Sequence, residues 1–186
     1  MKKMKSLLRK SVIVFWILIF SMATTDNQMA MVVIKEKPEA PEWFSEQQKE
    51  EFEKEKELLA RAIYGEASDQ EEEGMVAVGN VIMNRVKGKS RYGNTVEDVI
   101  LKPKQFSVFN DTESGNYKRM MNATEDDKVY QQALEIAQNL LTGNIEDNTG
   151  GSTHYYNPDI VNPDWSDSPL MTKIKKIGNH TFLMEA

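Results

Sequence analysis

The chain has 186 residues, 40% of them hydrophobic, with a formal charge of −6, a pI near 5.1 and no cysteine. Its length allows one ordinary domain with short extensions, and its acidity argues against a chain that holds nucleic acid by counterion release. The missing cysteines exclude disulfides, thiolate metal sites, thiol nucleophiles and lipid-modified cysteine anchors.

The first ten residues carry Lys2, Lys3, Lys5, Arg9 and Lys10, and VIVFWILIFSM follows, with small residues at Ser21 and Ala23. A basic start, a short apolar run and small residues predict a signal peptide or N-terminal anchor over 1–23. The run is shorter than the roughly 20 apolar residues of a transmembrane span. The rest of the chain is therefore expected to work outside the cytoplasm, touching a membrane only through that segment if it is not cleaved. Its removal takes away five cations and no acid, which lowers the formal charge to −11. Residues 24–45, with Pro38 and Pro41 and no sustained period, read as a linker. Residues 46–186 read as one domain, expected to be monomeric.

Ser45 and Gln48 have capping-box spacing, with Phe44 as a staple residue. The helix that follows starts as a solvated face of Glu–Lys pairs. Further on it gathers Phe52, Leu59 and Ile63 on one side and runs into Tyr64-Gly65-Glu66-Ala67. Ser68 and Glu71 read as a second capping box, opening a helix whose buried face is Met75, Val78, Val81, Ile82 and Val86. Thr95 is expected to cap a short helix, VEDVIL. Thr124 with Asp127 is expected to cap a longer one, with Val129, Tyr130, Ala133, Leu134, Ala137 and Leu141 at helical spacing and Gly143 at its end. After Gly150 the helical period disappears, and Gly178-Asn179 joins two strand-like pieces as a hairpin. The residues thus describe a small, mainly helical α+β domain with a β-rich C-terminal part.

Glu66 falls at or just past the end of the first helix, among apolar and aromatic neighbours. The negative dipole end and partial desolvation both favour a protonated carboxylic acid, the form needed to protonate a leaving oxygen. An exposed helix-end acid is the alternative from local sequence alone. His154 and His180 lie 26 residues apart without HxxxH or HExxH spacing, so no metal site and no cofactor are expected. Gln105, Ser107, Tyr155, Asn157 and Trp165 lie in two clusters of aromatic, amide and hydroxyl groups of the kind that suits sugar rings. Core packing and Asn-Pro turn chemistry are the competing explanation. Neither Ser107 nor Ser152 belongs to a recognisable Ser–His–Asp arrangement, and Gly150-Gly151 is not a phosphate loop.

In order, LLARAIYGEA, GMVAVGNVIMNRV, KQFSVF, GGSTHYYNPDIVNPDW and KKIGNHTFL resemble the cell-wall hydrolases of the spore-cortex-lytic SleB/CwlJ type, over about residues 57–183. The resemblance implies a lysozyme-like fold related to goose-type lysozymes and lytic transglycosylases, as a single catalytic domain with a small C-terminal β element. It implies action on peptidoglycan glycan strands between N-acetylmuramic acid and N-acetylglucosamine, with Glu66 as the catalytic acid. Gln105, His154, Tyr155, Asn157, His180 and Thr181 would line the cleft. The family often has an aromatic residue where this chain has Leu183. Hydrolysis normally takes two flanking carboxylates, and only Glu66 has a plausible apolar setting. A lytic transglycosylase, which closes a 1,6-anhydro ring with one acid acting in turn as base, is therefore the expected mechanism. A water-using muramidase, a non-catalytic wall-binding module and a metal-dependent amidase using both histidines are the alternatives.

Overall fold

The computed structural model describes residues 40–88 and 91–186; the signal or anchor segment, and most of the linker, lie outside the described residues. Helix α1 (Glu46–Ala67) opens on the expected capping box: the Ser45 hydroxyl accepts from the Gln48 amide, and the Gln48 side chain accepts from the Ser45 amide. Phe44 packs edge-on against Phe52, its ring centroid 5.9 Å away. The apolar face of α1 (Leu59, Ala60, Ala62, Ile63 and Ala67) is completely buried. It packs against α2 (Glu72–Lys87), α3 (Val96–Leu101), α4 (Ser107–Asn110), α5 (Gly115–Met121) and α6 (Lys128–Leu141). A helix at the centre of five others places whatever stands at its end within reach of several loops.

Two caps differ from the sequence expectation. Ser68 does not open α2; it is the C-cap of α1, its amide donating to the Tyr64 carbonyl, while Glu71 precedes α2 without a side-chain cap bond. The Ser68 hydroxyl is engaged instead by Arg119 Nη1 at 3.0 Å. Asp127, not Thr124, is the N-cap of α6, accepting from the amides of Val129 and Tyr130. Thr95 caps α3 as expected.

Three antiparallel strands, β1 (His154–Tyr156), β2 (Met171–Ile177) and β3 (His180–Glu185), form a sheet in the order β1-β3-β2. The two-residue loop Gly178-Asn179 has positive φ at Gly178 (+54°) and not at Asn179, the pattern of a type II′ hairpin turn. Tyr155 pairs with Phe182, and Ala77, Val81, Ile177 and Phe182 join α2 to the sheet in a small second core. The segment leading into β1 is bound to α2 by polar groups. Asn80 Nδ2 donates to Asn148 Oδ1 (3.3 Å) and Asn84 Nδ2 to the Ser152 carbonyl (3.1 Å). Asp147 closes its turn by accepting from the amides of Thr149 and Gly151. These bonds fix where β1 begins, and so where Tyr155 stands.

Candidate active site

Glu66 lies in the last turn of α1, one residue inside its end and half-buried. Its Oε1 accepts from the Val108 amide (3.0 Å) and the Ser107 hydroxyl (3.2 Å), and its Oε2 from the Tyr155 hydroxyl (3.1 Å). Three donors therefore hold the carboxylate, two from the start of α4 and one from β1. Their difference has chemical consequences. An amide N–H can only donate, whereas a hydroxyl can turn and accept, so a proton on Glu66 belongs on Oε2, facing Tyr155. Burial and the charge of Glu66 push the Tyr155 phenol well above its usual range, which keeps it a neutral hydroxyl able to reverse its bond.

The neighbours of Glu66 explain why α4 comes so close. A Cβ on Gly65 would lie 2.9 Å from both Val108 methyls and from Met120 Sδ, so only glycine lets Val108 settle over α1 with its amide on the carboxylate. The loop before α4 is set by a tight turn, with Pro103 at its second position and the Gln105 amide on the Lys102 carbonyl at 3.1 Å. Lys104 takes φ +67° at the third position, the type II geometry. Tyr64, on the other side of the helix, donates to Asp127 Oδ2 at 2.7 Å and stacks edge-on with Tyr130. It ties α1 to α6.

Alternation along the strands divides the remaining candidates. Tyr155, His180 and Phe182 share the face turned toward α2 and Glu66; the Tyr155 and His180 rings are 5.0 Å apart. Burial lowers the pKa of His180 against the charges of Asp69 and Glu66, and its Nδ1 is buried without a partner among the described residues. His154 lies on the opposite face, its ring 5.3 Å from Trp165 and 5.9 Å from Tyr92. Its Nε2 is 3.8 Å from Glu185, which also accepts from Tyr92 (2.8 Å) and pairs with Arg91. Since the two histidines occupy opposite faces, one ion cannot engage both. Among the described residues no group of three or more His, Asp or Glu is arranged to hold a metal.

The structure thus brings Glu66, Ser107, Tyr155 and His180 together. His154 and Trp165 stand as a pair behind the sheet, and Thr181, opposite Tyr156, shares that face by register. Asn157 Oδ1 accepts from the Asp159 amide at 3.0 Å, a turn-closing bond after β1. Gln105 stands on the Pro103 turn, two residues before Ser107. Sequence reading passed over the Val108 amide, because every residue but proline has such a donor and composition cannot rank them. It also passed over Arg85, whose signal was present: a cation three and four residues after Ile82 and Val81, on the apolar side of α2.

A carboxylate at a helix end, held by one fixed amide and two reversible hydroxyls, is an arrangement suited to general acid–base chemistry. The chain belongs to the cell-wall hydrolase family, whose model matches residues 68–183, a span that opens two residues after Glu66. It is 35% identical over 129 residues to the spore cortex-lytic enzyme of Bacillus cereus, covering 67% of this chain and 42% of that protein. To the Bacillus subtilis spore cortex-lytic enzyme it is 32% identical over 127 residues, covering 67% and 36%. The chain therefore spans less than half the length of these curated relatives. Two solved structures align over nearly their whole length. The catalytic domain of the Bacillus cereus SleB protein matches with TM-score 0.53 and 31% identity, covering 76% of this chain and 93% of that one. The catalytic domain of the germination-specific lytic transglycosylase SleB from Bacillus anthracis matches with TM-score 0.54 and 29% identity, covering 77% and 98%. The fold is that of these mainly helical α+β, lysozyme-like domains.

Proposed function

We propose that this chain cleaves the glycan strands of peptidoglycan outside the cytoplasm, between N-acetylmuramic acid and N-acetylglucosamine, as a lytic transglycosylase. Spore cortex, the substrate in the names of its relatives, is the substrate class favoured for it. The observation that carries the mechanism is the Glu66 cradle: one carboxylate held by three donors. Protonated on Oε2, Glu66 gives its proton to the glycosidic oxygen as the bond to the muramoyl anomeric carbon breaks. Tyr155, which had accepted from that proton, turns back to donate to the carboxylate. Glu66 then takes the proton of the muramoyl 6-hydroxyl as that oxygen attacks the anomeric carbon, closing the 1,6-anhydro ring and restoring the acid. A water-using glycosidase would ordinarily set a second carboxylate across the scissile bond. The nearby acid Asp69 is exposed on the turn after α1 and acts on His180.

Purified peptidoglycan digested with the protein and with Glu66→Gln, followed by mass analysis of the muropeptides, tests this reading. Ends one water lighter than reducing ends are expected from the wild type, and a loss of at least about 10²–10⁴-fold from the variant. Reducing ends would replace the transglycosylase by a muramidase. Equal activity in E66Q would remove Glu66 from the chemistry.

A further inference from the structure

Arg85 is 5% exposed in α2, within the core of a helix otherwise buried through Met75, Val78, Val81 and Ile82. Its Nε donates to the Thr153 carbonyl at 2.7 Å. Its guanidinium carbon lies 5.1 Å from the centroid of the Phe106 ring and 5.3 Å from that of Tyr92. Nη1 is enclosed and has no acceptor among the described residues. A buried cation with an orphan donor is costly, and replacing such a group with an apolar side chain of similar volume is often neutral or stabilising. Packing alone therefore gives no reason for an arginine here.

Its contacts suggest another reason. Phe106 immediately precedes Ser107 and Val108, which supply two of the three donors to Glu66. Thr153 lies two residues before Tyr155, which supplies the third. The charged and titratable groups around the guanidinium are Glu66, Tyr155 and Tyr92, whose fields act on it, and His154, on which its own charge acts together with those of Glu185 and Arg91. Of these, Glu66 is the carboxylate that acts on Arg85.

We infer that Arg85 is a positioning residue for Glu66: one buried guanidinium clamps the two chain segments that carry its three donors. Aromatic faces and a carbonyl suit a planar fork of fixed geometry better than a flexible ammonium. The inference rests on Glu66 being the acid, but the clamp has a signature independent of turnover, the proton chemical shift of the Val108 amide, which reports its bond to the carboxylate.

The test compares wild type, E66Q, R85M and R85K by amide spectra and by turnover of purified peptidoglycan. The amides of α6 serve as the internal control for an intact fold. R85M is expected to fold, to move the Val108 amide most of the way toward its position in E66Q, and to lower kcat by about 10–100-fold with KM changed less than about twofold. R85K is expected to fall between R85M and wild type in both readouts. A Val108 amide unmoved in folded R85M overturns the clamp. If R85M does not fold, R85K decides, and an unmoved amide with full kcat overturns it equally. A moved amide together with undiminished activity in E66Q would support the clamp while overturning the catalytic role of Glu66.

Discussion

Replacing Gly65 with alanine puts a methyl group where the structure leaves no room for one. The added Cβ would sit 2.9 Å from both methyls of Val108 and from Met120 Sδ, against an ordinary carbon contact of roughly 3.5–4.0 Å. Met120 is unbranched and can give way. Val108 cannot, because rotating its stiff, branched side chain only exchanges one methyl for another. Its backbone must retreat by about 0.5–1 Å, which lengthens the Val108 N–Glu66 Oε1 bond from 3.0 Å to about 3.5 Å or more, beyond useful geometry. Helix propensity favours alanine by about 1 kcal/mol, and overpacking costs about 1–3 kcal/mol, so stability should fall by no more than about 2 kcal/mol. A hydrogen bond to a charged group contributes about 1.5–3 kcal/mol. If it acts on the transition state, its loss corresponds to about 10–100-fold in kcat. Clearance of a peptidoglycan suspension gives the rate, and thermal unfolding followed by circular dichroism gives the stability. Wild-type activity in a folded G65A protein would refute the reasoning, since Glu66 would then be working without its fixed amide donor.

Three further outcomes follow from the same geometry. Tyr155→Phe removes the hydroxyl that donates to Glu66 Oε2 while keeping the ring, so kcat should fall about tenfold or more with the melting temperature within a few degrees of wild type; unchanged kcat would show that the hydroxyl is not used. Lys104→Gly relieves a left-handed backbone at φ +67°, a strain of about 1–2 kcal/mol in an L-residue, offset by about 0.4–1 kcal/mol of added freedom in the unfolded chain. A net gain of about 0.5–1 kcal/mol is expected in urea titrations, and a loss would contradict it. Burial, reinforced by the Arg85 charge and opposed by Glu185, holds His154 down to about 4, and burial also lowers His180. The unfolded chain takes up these protons near about pH 6.5 while the folded chain does not. Stability is therefore full above that pH and drains away as pH falls toward 4. His154→Gln should flatten the decline between pH 6.5 and 4.5 in urea titrations, and an unaltered slope would sink the assignment.

Where a local rule decides the outcome, the chain can be read directly. The Ser45–Gln48 box, the Thr95 cap and the Gly178-Asn179 hairpin each depend on a few neighbouring residues, and each stands where its motif places it. Ser68–Glu71 has the same motif but fails, because Ser68 stays in helical geometry as the C-cap of α1 and the next helix starts only at Glu72. Helices α4 and α5 are too short to show a period, and β1 has only three residues between turns. The site follows the same division. Glu66 is conspicuous as a lone acid after an apolar stretch, and Tyr155 as one of the aromatic residues near an Asn-Pro turn. That the two meet is a tertiary fact, dependent on the polar bonds that fix the 147–152 segment to α2. Strand alternation, invisible until the register is known, separates His180 from His154.

The cradle also bears on when this protein becomes active. Its donors lie 41, 42 and 89 residues along the chain from Glu66, and β1 takes its strand partner from β3 near the C-terminal end. Contacts of such long range are among the last to form, since loop closure must come first. A chain still emerging would carry Glu66 at the end of α1 before its donors arrive, and one that has lost β3 would lack the pairing that seats Tyr155. Under the proposed activity, the sequence separation of the protein's own parts would act as a safety interlock.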